Sequence, residues 1–262
     1  MTTTLIATPF PNQPPPYEGH EGRNLYLTDV ALRDAVAREG AADAKTELER
    51  WGETLGSAEA FALADAANRN PPQLRTHDPR GERIDAVEFH PAWHALMRLA
   101  TAAGEHCAPW VDSPAGSQVA RAAMYFLHAQ VENGTQCPLT MTYACVPVLR
   151  QHVSSNPSLG DWLPRVLARD YDPRPLPIAS KPAALIGMGM TERQGGSDVR
   201  ANLTRAEPQT DGTWRLRGQK WFFSAPQCDG HLVLAQAAEG LSCFLLPRFL
   251  ADGTRNAIRL QR

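Results

Sequence analysis

The hydrophobic period of this chain changes around the proline-rich segment "DPRPLPIASKP", residues 172–182. Before it, residues 28–172 carry apolar side chains at helical spacing. After it, the apolar runs are short, bounded by turns and rich in residues suited to strands. A chain of 262 residues is long enough for two units. The expected fold class is therefore α+β, with an N-terminal helical domain over residues 1–178 and an antiparallel β domain over 179–262.

In the helical half, "TDVALRDAVAREG" offers Thr28 and Asp29 as caps and places Val30, Leu32, Ala35 and Val36 near one side. "AKTELERWGETLGSAEAFALADAAN" continues in long-chain helix formers and ends before Pro71 and Pro72. "HPAWHALMRLATAAGEH" puts Trp93, Leu96, Met97 and Ala100 at helical spacing, and "GSQVARAAMYFLHAQVENG" stops at Gly134. "PLTMTYACVPVLRQH" and "LGDWLPRVLARDYD" complete a bundle-like unit. Prolines over residues 9–16 suggest an extended N-terminal arm.

In the second half, "AALIGM", "TWRLRGQKWFFS", "HLVLAQA" and "LSCFLLP" are the expected strands. Trp214 and Leu216 alternate with Arg215 and Arg217, as in a half-buried strand, and Asp211-Gly212 marks a hairpin turn. The final "AIRLQR" also has the pattern of a strand. Ending there leaves a sheet edge open, which suggests the N-terminal portion of a longer protein.

The formal net charge of −2 provides no basic face of the kind nucleic-acid binders use. Cys107, Cys137, Cys145, Cys228 and Cys243 form no C-x-x-C pair, which argues against a disulfide framework and fits a reducing compartment. Neither a secretory leader nor a membrane span is visible, so a cytoplasmic location is expected. His90 and His94 lie four apart on a helix, but no third ligand stands convincingly beside them and no metal site is assigned.

The most distinctive stretch is "GMTERQGGSDVRANLT", residues 189–204. After the apolar run, "TERQGGSD" must be a loop. Its adjacent glycines allow a sharp turn and close backbone approach to a ligand. Thr191 and Ser197 add hydroxyl donors suited to anionic or carbonyl oxygens. A phosphate or a polar heterocycle would suit such a loop, and so would a plain tight turn capped by Asp198. The spacing matches neither the dinucleotide-binding G-x-G-x-x-G pattern nor a P-loop.

The order "GMTERQGGSD", then "TRAEPQTDGTWRLRGQKWFFSAPQCDGHLVLAQ", then "GLSCFLLPR" resembles the middle β domain of the acyl-CoA dehydrogenase family. Upstream "ENGTQCPLTMTYACVPVLRQH" and downstream "LLPRFLADGTRNAIRL" resemble its bacterial alkylation-response branch, the AidB-like proteins, which are similar to isovaleryl-CoA dehydrogenases. The resemblance implies FAD held between the β domain and a C-terminal helical domain that this sequence does not reach. Met188, Gly189, Met190 and Thr191 would line the pyrimidine side of the flavin, with Thr191 donating to its N1–O2 edge. Gly196 and Ser197 would sit near the pyrophosphate. Phe222, Phe223 and Ser224 match the aromatic-aliphatic-hydroxyl triplet that packs along the ring, with Phe222 where many relatives have Trp and Ser224 in place of the more frequent Thr.

The resemblance further implies that the complete protein oxidises, weakly, a short branched acyl-CoA such as isovaleryl-CoA, and that it is a homotetramer. The catalytic glutamate base would lie in the C-terminal domain, which leaves Glu192 outside that role and no catalytic residue assigned here. Two alternatives stand beside it. One is a DNA-associated protective flavoprotein of the alkylation response, contacting DNA through the C-terminal domain. The other is a non-catalytic structural module.

Overall fold

The computed structural model describes residues 19–261, so the arm expected over residues 9–16 lies outside the described residues. The first part is helical: α1 (Leu25–Thr28), α2 (Val30–Arg38), α3 (Lys45–Leu55), α4 (Ala58–Arg69), α5 (Pro91–Ala103), α6 (Ala108–Val111), α7 (Ser117–Ala129), α8 (Gln136–His152) and α9 (Trp162–Val166). Local chemistry sets several of their ends. Asp29 caps α2 by accepting from the Leu32 N–H at 2.8 Å. Within α2, Val36 is buried, but Val30 is exposed instead of sharing the apolar face expected of it.

Residues 44–68 form two helices where one was expected. Gly56 lies so close to the Arg23 carbonyl that an added Cβ would approach its oxygen to 1.7 Å, and Ser57 then starts α4 by accepting from the Ala60 N–H. Helix α7 ends at Ala129, ahead of Gly134, and the Glu132 carboxylate then takes the N–H groups of Gly134 and Thr135, shaping the turn into α8.

A larger departure is the hairpin of β1 (Gln73–His77) and β2 (Arg83–Glu88), inside the stretch read as helical. The Asp78 side chain accepts from the N–H groups of Arg80 and Glu82, and Gly81 supplies a φ of +83° for the turn. Helix α8 contains Pro147, which cannot donate to the Tyr143 carbonyl four residues back. The Trp110 indole N–H fills that gap at 3.0 Å.

The second part is a mixed sheet of β3 (Ile186–Gly189), β4 (Arg205–Pro208), β5 (Trp214–Arg217), β6 (Gly230–Ala237) and β7 (Gly240–Pro247). The expected antiparallel pairing holds at the β4–β5 and β6–β7 hairpins, and Gly212 with φ +82° makes the first of these turns. Strands β3 and β4 both run parallel to β6, along the edge that β7 leaves free. In β5 the expected alternation holds only in part: Leu216 is half-buried and Trp214 packs on Phe244 but stays 40% exposed, while Arg215 and Arg217 face solvent. Among the described residues the chain end adds no strand. The Leu260 carbonyl instead accepts from Arg83, and its N–H donates to Asp85, so side chains satisfy the backbone there.

One core cluster lies wholly among the helices, built on Leu48, Trp51, Leu55 and Leu127. A second joins α8 and α9 to the sheet through Val146, Leu149, Trp162, Ile186 and Leu232, and a third joins Trp93, Met97 and Leu139 to Leu185 and Cys228. Thr142 of α8 accepts from the Ile186 N–H at 3.0 Å, pinning the first residue of β3. Gly230 opens β6 because the Trp162 ring would meet a Cβ there at 2.7 Å. A buried Lys181–Asp229 pair at 2.5 Å ties the proline-rich linker to the same point. These contacts fix where β3 and β6 begin, and so the register in which β3 leads to the following loop. No helix among the described residues is long and apolar enough to cross a membrane.

Candidate functional site

Because β3 and β4 share one edge of β6, residues 190–204 have to leave the sheet and return to it beside their departure point. Their shape rests on Glu192, which is 3% exposed. Its carboxylate accepts from the Leu203 N–H at 2.6 Å, the Thr204 N–H at 3.0 Å and the Thr204 hydroxyl at 2.5 Å. It also pairs with the Lys220 ammonium at 2.8 Å. Burial alone would raise the pKa of this carboxyl; Lys220, Thr204 and the two N–H groups outweigh that and hold it far below the usual carboxylate range. Glu192 is a structural anion at the base of the loop.

The rest of the loop follows from that anchor. Glu192 and Gly195 exchange backbone hydrogen bonds, and Gly195 takes a φ of +141° to close the turn. Gly196 lies against Thr191, where a Cβ would stand 2.5 Å from the Thr191 hydroxyl. Asn202 donates to the Met190 carbonyl at 3.0 Å, and the Asp198 side chain caps a short turn over Val199–Ala201. The capped turn is therefore present, and it coexists with an outer face of exposed Gly196 and Ser197 beside half-buried Thr191.

The triplet Phe222, Phe223 and Ser224 does not lie on a strand, contrary to expectation; β5 stops at Arg217 and β6 begins at Gly230. Two non-glycine residues, Phe222 (φ +52°) and Ala225 (φ +53°), take left-handed backbone, at a cost of about 1–2 kcal/mol each. No extended strand can run through such a segment. The Trp221 N–H donates to the Thr191 carbonyl at 2.9 Å, which sets the segment beside the first loop. Phe222 is 82% exposed, whereas Phe223 folds inward.

Glycines on β3 make room for that inward fold. A Cβ at Gly189 would stand 2.2 Å from the Phe223 ring, and one at Gly187 would stand 2.6 Å from the His231 ring. The Phe223 and His231 ring centroids are 4.8 Å apart. Met188 and Met190 instead pack against the core cluster around Trp162 and Ile186. Of the residues expected at the site, Met188 on β3 and Met190 just after it can therefore present backbone but little side chain.

The structure thus brings Gly189, Thr191, Gly196, Ser197 and the triplet together along one sheet edge. The hydroxyls of Thr191, Ser197 and Ser224 hydrogen-bond to no described residue, and Phe222 offers an open aromatic face. Such a surface can bind a planar polar heterocycle bearing acceptors, so the residues present fit a flavin. Next to it, Asn202, Leu203, Arg205 and Gln236 line an open cleft of about 450 Å³. The side-chain Oδ1 of Asn202 there is buried without a partner.

Lys220 and His231 escaped the reading of the sequence. Lys220 lies in the quoted stretch "TWRLRGQKWFFS", where nothing in the strand pattern singles it out, and its role is the buried pairing with Glu192. His231 is a lone histidine at the head of an apolar strand, a pattern that carries no chemical signal by itself. His90 and His94 do not converge: His90 caps α5, and His94 hydrogen-bonds to the Tyr171 hydroxyl at 2.7 Å. Among the described residues no group of three His, Cys, Asp or Glu side chains could hold a metal ion, and all five cysteines are free.

Residues 12–173 match the family described as the adaptive response protein AidB N-terminal domain, and residues 187–258 match the acyl-CoA dehydrogenase middle domain. The chain is 53% identical to AidB of Escherichia coli (strain K12) over 96% of this chain and 46% of that protein. Two solved structures share its architecture. One is an apo form of Bd2924, with a TM-score of 0.77 and 29% identity over 92% of this chain and 50% of that one. The other is Caenorhabditis elegans ACDH-11 in complex with C11-CoA, with a TM-score of 0.79 and 26% identity, covering all of this chain and 45% of that one. The chain spans about half the length of these relatives.

Proposed function

The chain belongs to the acyl-CoA dehydrogenase family, in its AidB branch, and from that premise we propose that the complete protein binds FAD on the surface formed by residues 188–197 and 222–224. The observation that carries this reading is the set of unpartnered hydroxyls on Thr191, Ser197 and Ser224 beside exposed Phe222. Thr191 would donate to the N1–O2 edge of the flavin, with the backbone of Met188, Gly189 and Met190 alongside. Gly196 and Ser197 would hold the pyrophosphate through backbone and hydroxyl donors. Bound FAD supplies the acceptor for the hydride that leaves an acyl thioester. Donors at N1–O2 favour that transfer because negative charge develops there.

The substrate is an acyl-CoA, and we propose a short branched one such as isovaleryl-CoA. The cleft along Asn202, Leu203, Arg205 and Gln236 suits part of a CoA, with Arg205 for a phosphate and amides for polar atoms. The complex of ACDH-11 with C11-CoA supports the acyl-CoA class. Glu192 cannot remove a substrate proton, because its carboxylate is buried and fully engaged. The base is therefore sought in the C-terminal domain that the family resemblance implies. We place the division between the helical and β domains at residues 178 and 179.

The test uses the full-length protein with FAD, offering isovaleryl-CoA and C11-CoA as substrates. Thr191→Ala is expected to weaken FAD binding by about 0.5–1.5 kcal/mol or to shift the flavin potential. Bleaching of the bound flavin by isovaleryl-CoA is expected to outpace that by C11-CoA. An unchanged FAD affinity and potential in Thr191→Ala would remove Thr191 from the site, and faster bleaching by C11-CoA would overturn the short-chain assignment.

A further inference from the structure

Behind the candidate flavin surface lies a second polar feature to which the reaction assigns no role. His231 is 1% exposed, and neither ring nitrogen makes a hydrogen bond of normal geometry. Burial lowers its pKa to about 4; the carbonyls of Ala225, Leu246 and Pro226 offset part of that effect, while Arg248 adds to it. Its ring lines a small crevice shared with Asp85, Arg248, Arg255, Asn256 and Leu260, where the β1–β2 hairpin meets the residues after β7. The crevice encloses about 250 Å³ including its mouth, and its interior holds one water-sized group.

The charges around it do not balance. The Arg248 guanidinium is largely buried, and its pKa is lowered first by burial and then by the neighbouring Arg255. Both arginines lie 5.8 Å from the Phe249 ring centroid. Arg248 donates to the Gln227 carbonyl at 3.0 Å, and no Arg255 side-chain nitrogen hydrogen-bonds to a described residue. The one carboxylate in the crevice, Asp85, is taken by Arg83 at 2.8 Å and by the Leu260 N–H. Two guanidinium groups and an imidazole without a hydrogen-bond partner thus line a space of one-atom size, and the carboxylates that act on Arg248, Asp229 and Asp85, are paired with Lys181 and Arg83.

We propose that this crevice is a binding site for a small monovalent inorganic anion of the halide class, held by Arg248, Arg255 and a ring N–H of His231. A halide fits because it is a single atom only somewhat larger than a water molecule, accepts hydrogen bonds from every side and compensates the paired guanidinium groups. Water would satisfy the imidazole but leave the repulsion between the arginines. Since His231 supports Phe223, and Phe223 covers Gly189, the anion would steady the loop behind the flavin surface without touching flavin or substrate.

The experiment reads the site without any activity. Crystals of the protein are soaked in sodium bromide, and thermal unfolding is followed in sodium chloride and in sodium gluconate at equal ionic strength. An anomalous bromide peak between His231, Arg248 and Arg255 is expected. Chloride at ten times its dissociation constant is expected to raise Tm by roughly 3–5 °C over gluconate. That difference should vanish in Arg255→Gln, which folds independently of the question because Arg255 is only half-buried. A water or no density in the crevice of bromide-soaked crystals would overturn the proposal. So would a chloride effect of the same size in Arg255→Gln.

Discussion

Residues 190–204 hold their shape through one carboxylate, whereas residues 221–225 hold theirs through ring packing and two left-handed residues. The first loop converges on Glu192, whose oxygens gather the Leu203 and Thr204 backbone, the Thr204 hydroxyl and Lys220. The second leans Phe223 on Gly189 and His231 and spends backbone strain at Phe222 and Ala225. A loop outside the sheet ladder can thus be ordered in two ways. A buried anion does it by satisfying donors, which is directional and costly to disturb. Ring packing does it by filling space, which depends on glycines leaving room and tolerates more change.

The largest effect that could break this contrast is expected from Glu192→Ala. It leaves the Lys220 ammonium, with a side chain 8% exposed, without its partner, and loss of a buried pair costs about 3–5 kcal/mol. Urea unfolding of the complete protein reads it; a loss under about 1 kcal/mol, the level of an exposed ion pair, would mean that Glu192 does not organise the loop.

Acid should separate the two segments next. The pKa of His231 is about 4 in the folded protein against 6.5 when unperturbed, so between those values the unfolded chain binds a proton that the native protein refuses. Stability therefore falls as pH drops from 6.5 to 4, by about 3 kcal/mol for this residue. His106 is buried likewise and also lowered to about 4, so it adds a slope of the same sign. The decisive quantity is the difference between wild type and His231→Gln in chloride-free buffer, which should show the variant less sensitive to acid. The Glu192 carboxylate, with its pKa depressed, stays ionised throughout this window. Equal slopes in the two proteins would remove His231 as the support of the second segment.

Gly189→Ala is expected to cost about 1–3 kcal/mol by driving Phe223 off the strand. Near-UV circular dichroism should change with it, and a variant as stable as wild type would show that the ring is not held there. The smallest effect is expected from Phe222→Gly, which relieves a left-handed residue while freeing the unfolded chain. The net gain is about 1 kcal/mol or less. A clear loss of stability would mean that the exposed ring packs on something other than solvent.

The same contrast explains what was legible in the sequence. Local signals survive translation into structure: Asp29 caps α2, Asp211-Gly212 turns the β4–β5 hairpin, and the helical half precedes the sheet. The loop at Thr191 could be located because glycines and hydroxyls cluster in sequence as they do in space. Long-range reasons stayed hidden. The break at Gly56 depends on the Arg23 carbonyl, and the turn from α7 into α8 depends on the Glu132 carboxylate. The β1–β2 hairpin is short and polar, with only weak alternation between helices. Phe222, Phe223 and Ser224 have strand propensity, but Trp221 bonds to Thr191 and Phe223 falls onto Gly189, so tertiary contact overrides preference. The final "AIRLQR" has strand pattern, but its described residues join no strand ladder; the side chains of Arg83 and Asp85 on β2 satisfy the Leu260 backbone instead.

The most direct measurement is amide hydrogen exchange of the full-length protein with and without FAD. If the two differently built segments form one flavin surface, FAD slows exchange in both residues 190–204 and residues 218–225. Unchanged exchange in both segments while FAD is bound would contradict the assignment and place the cofactor elsewhere.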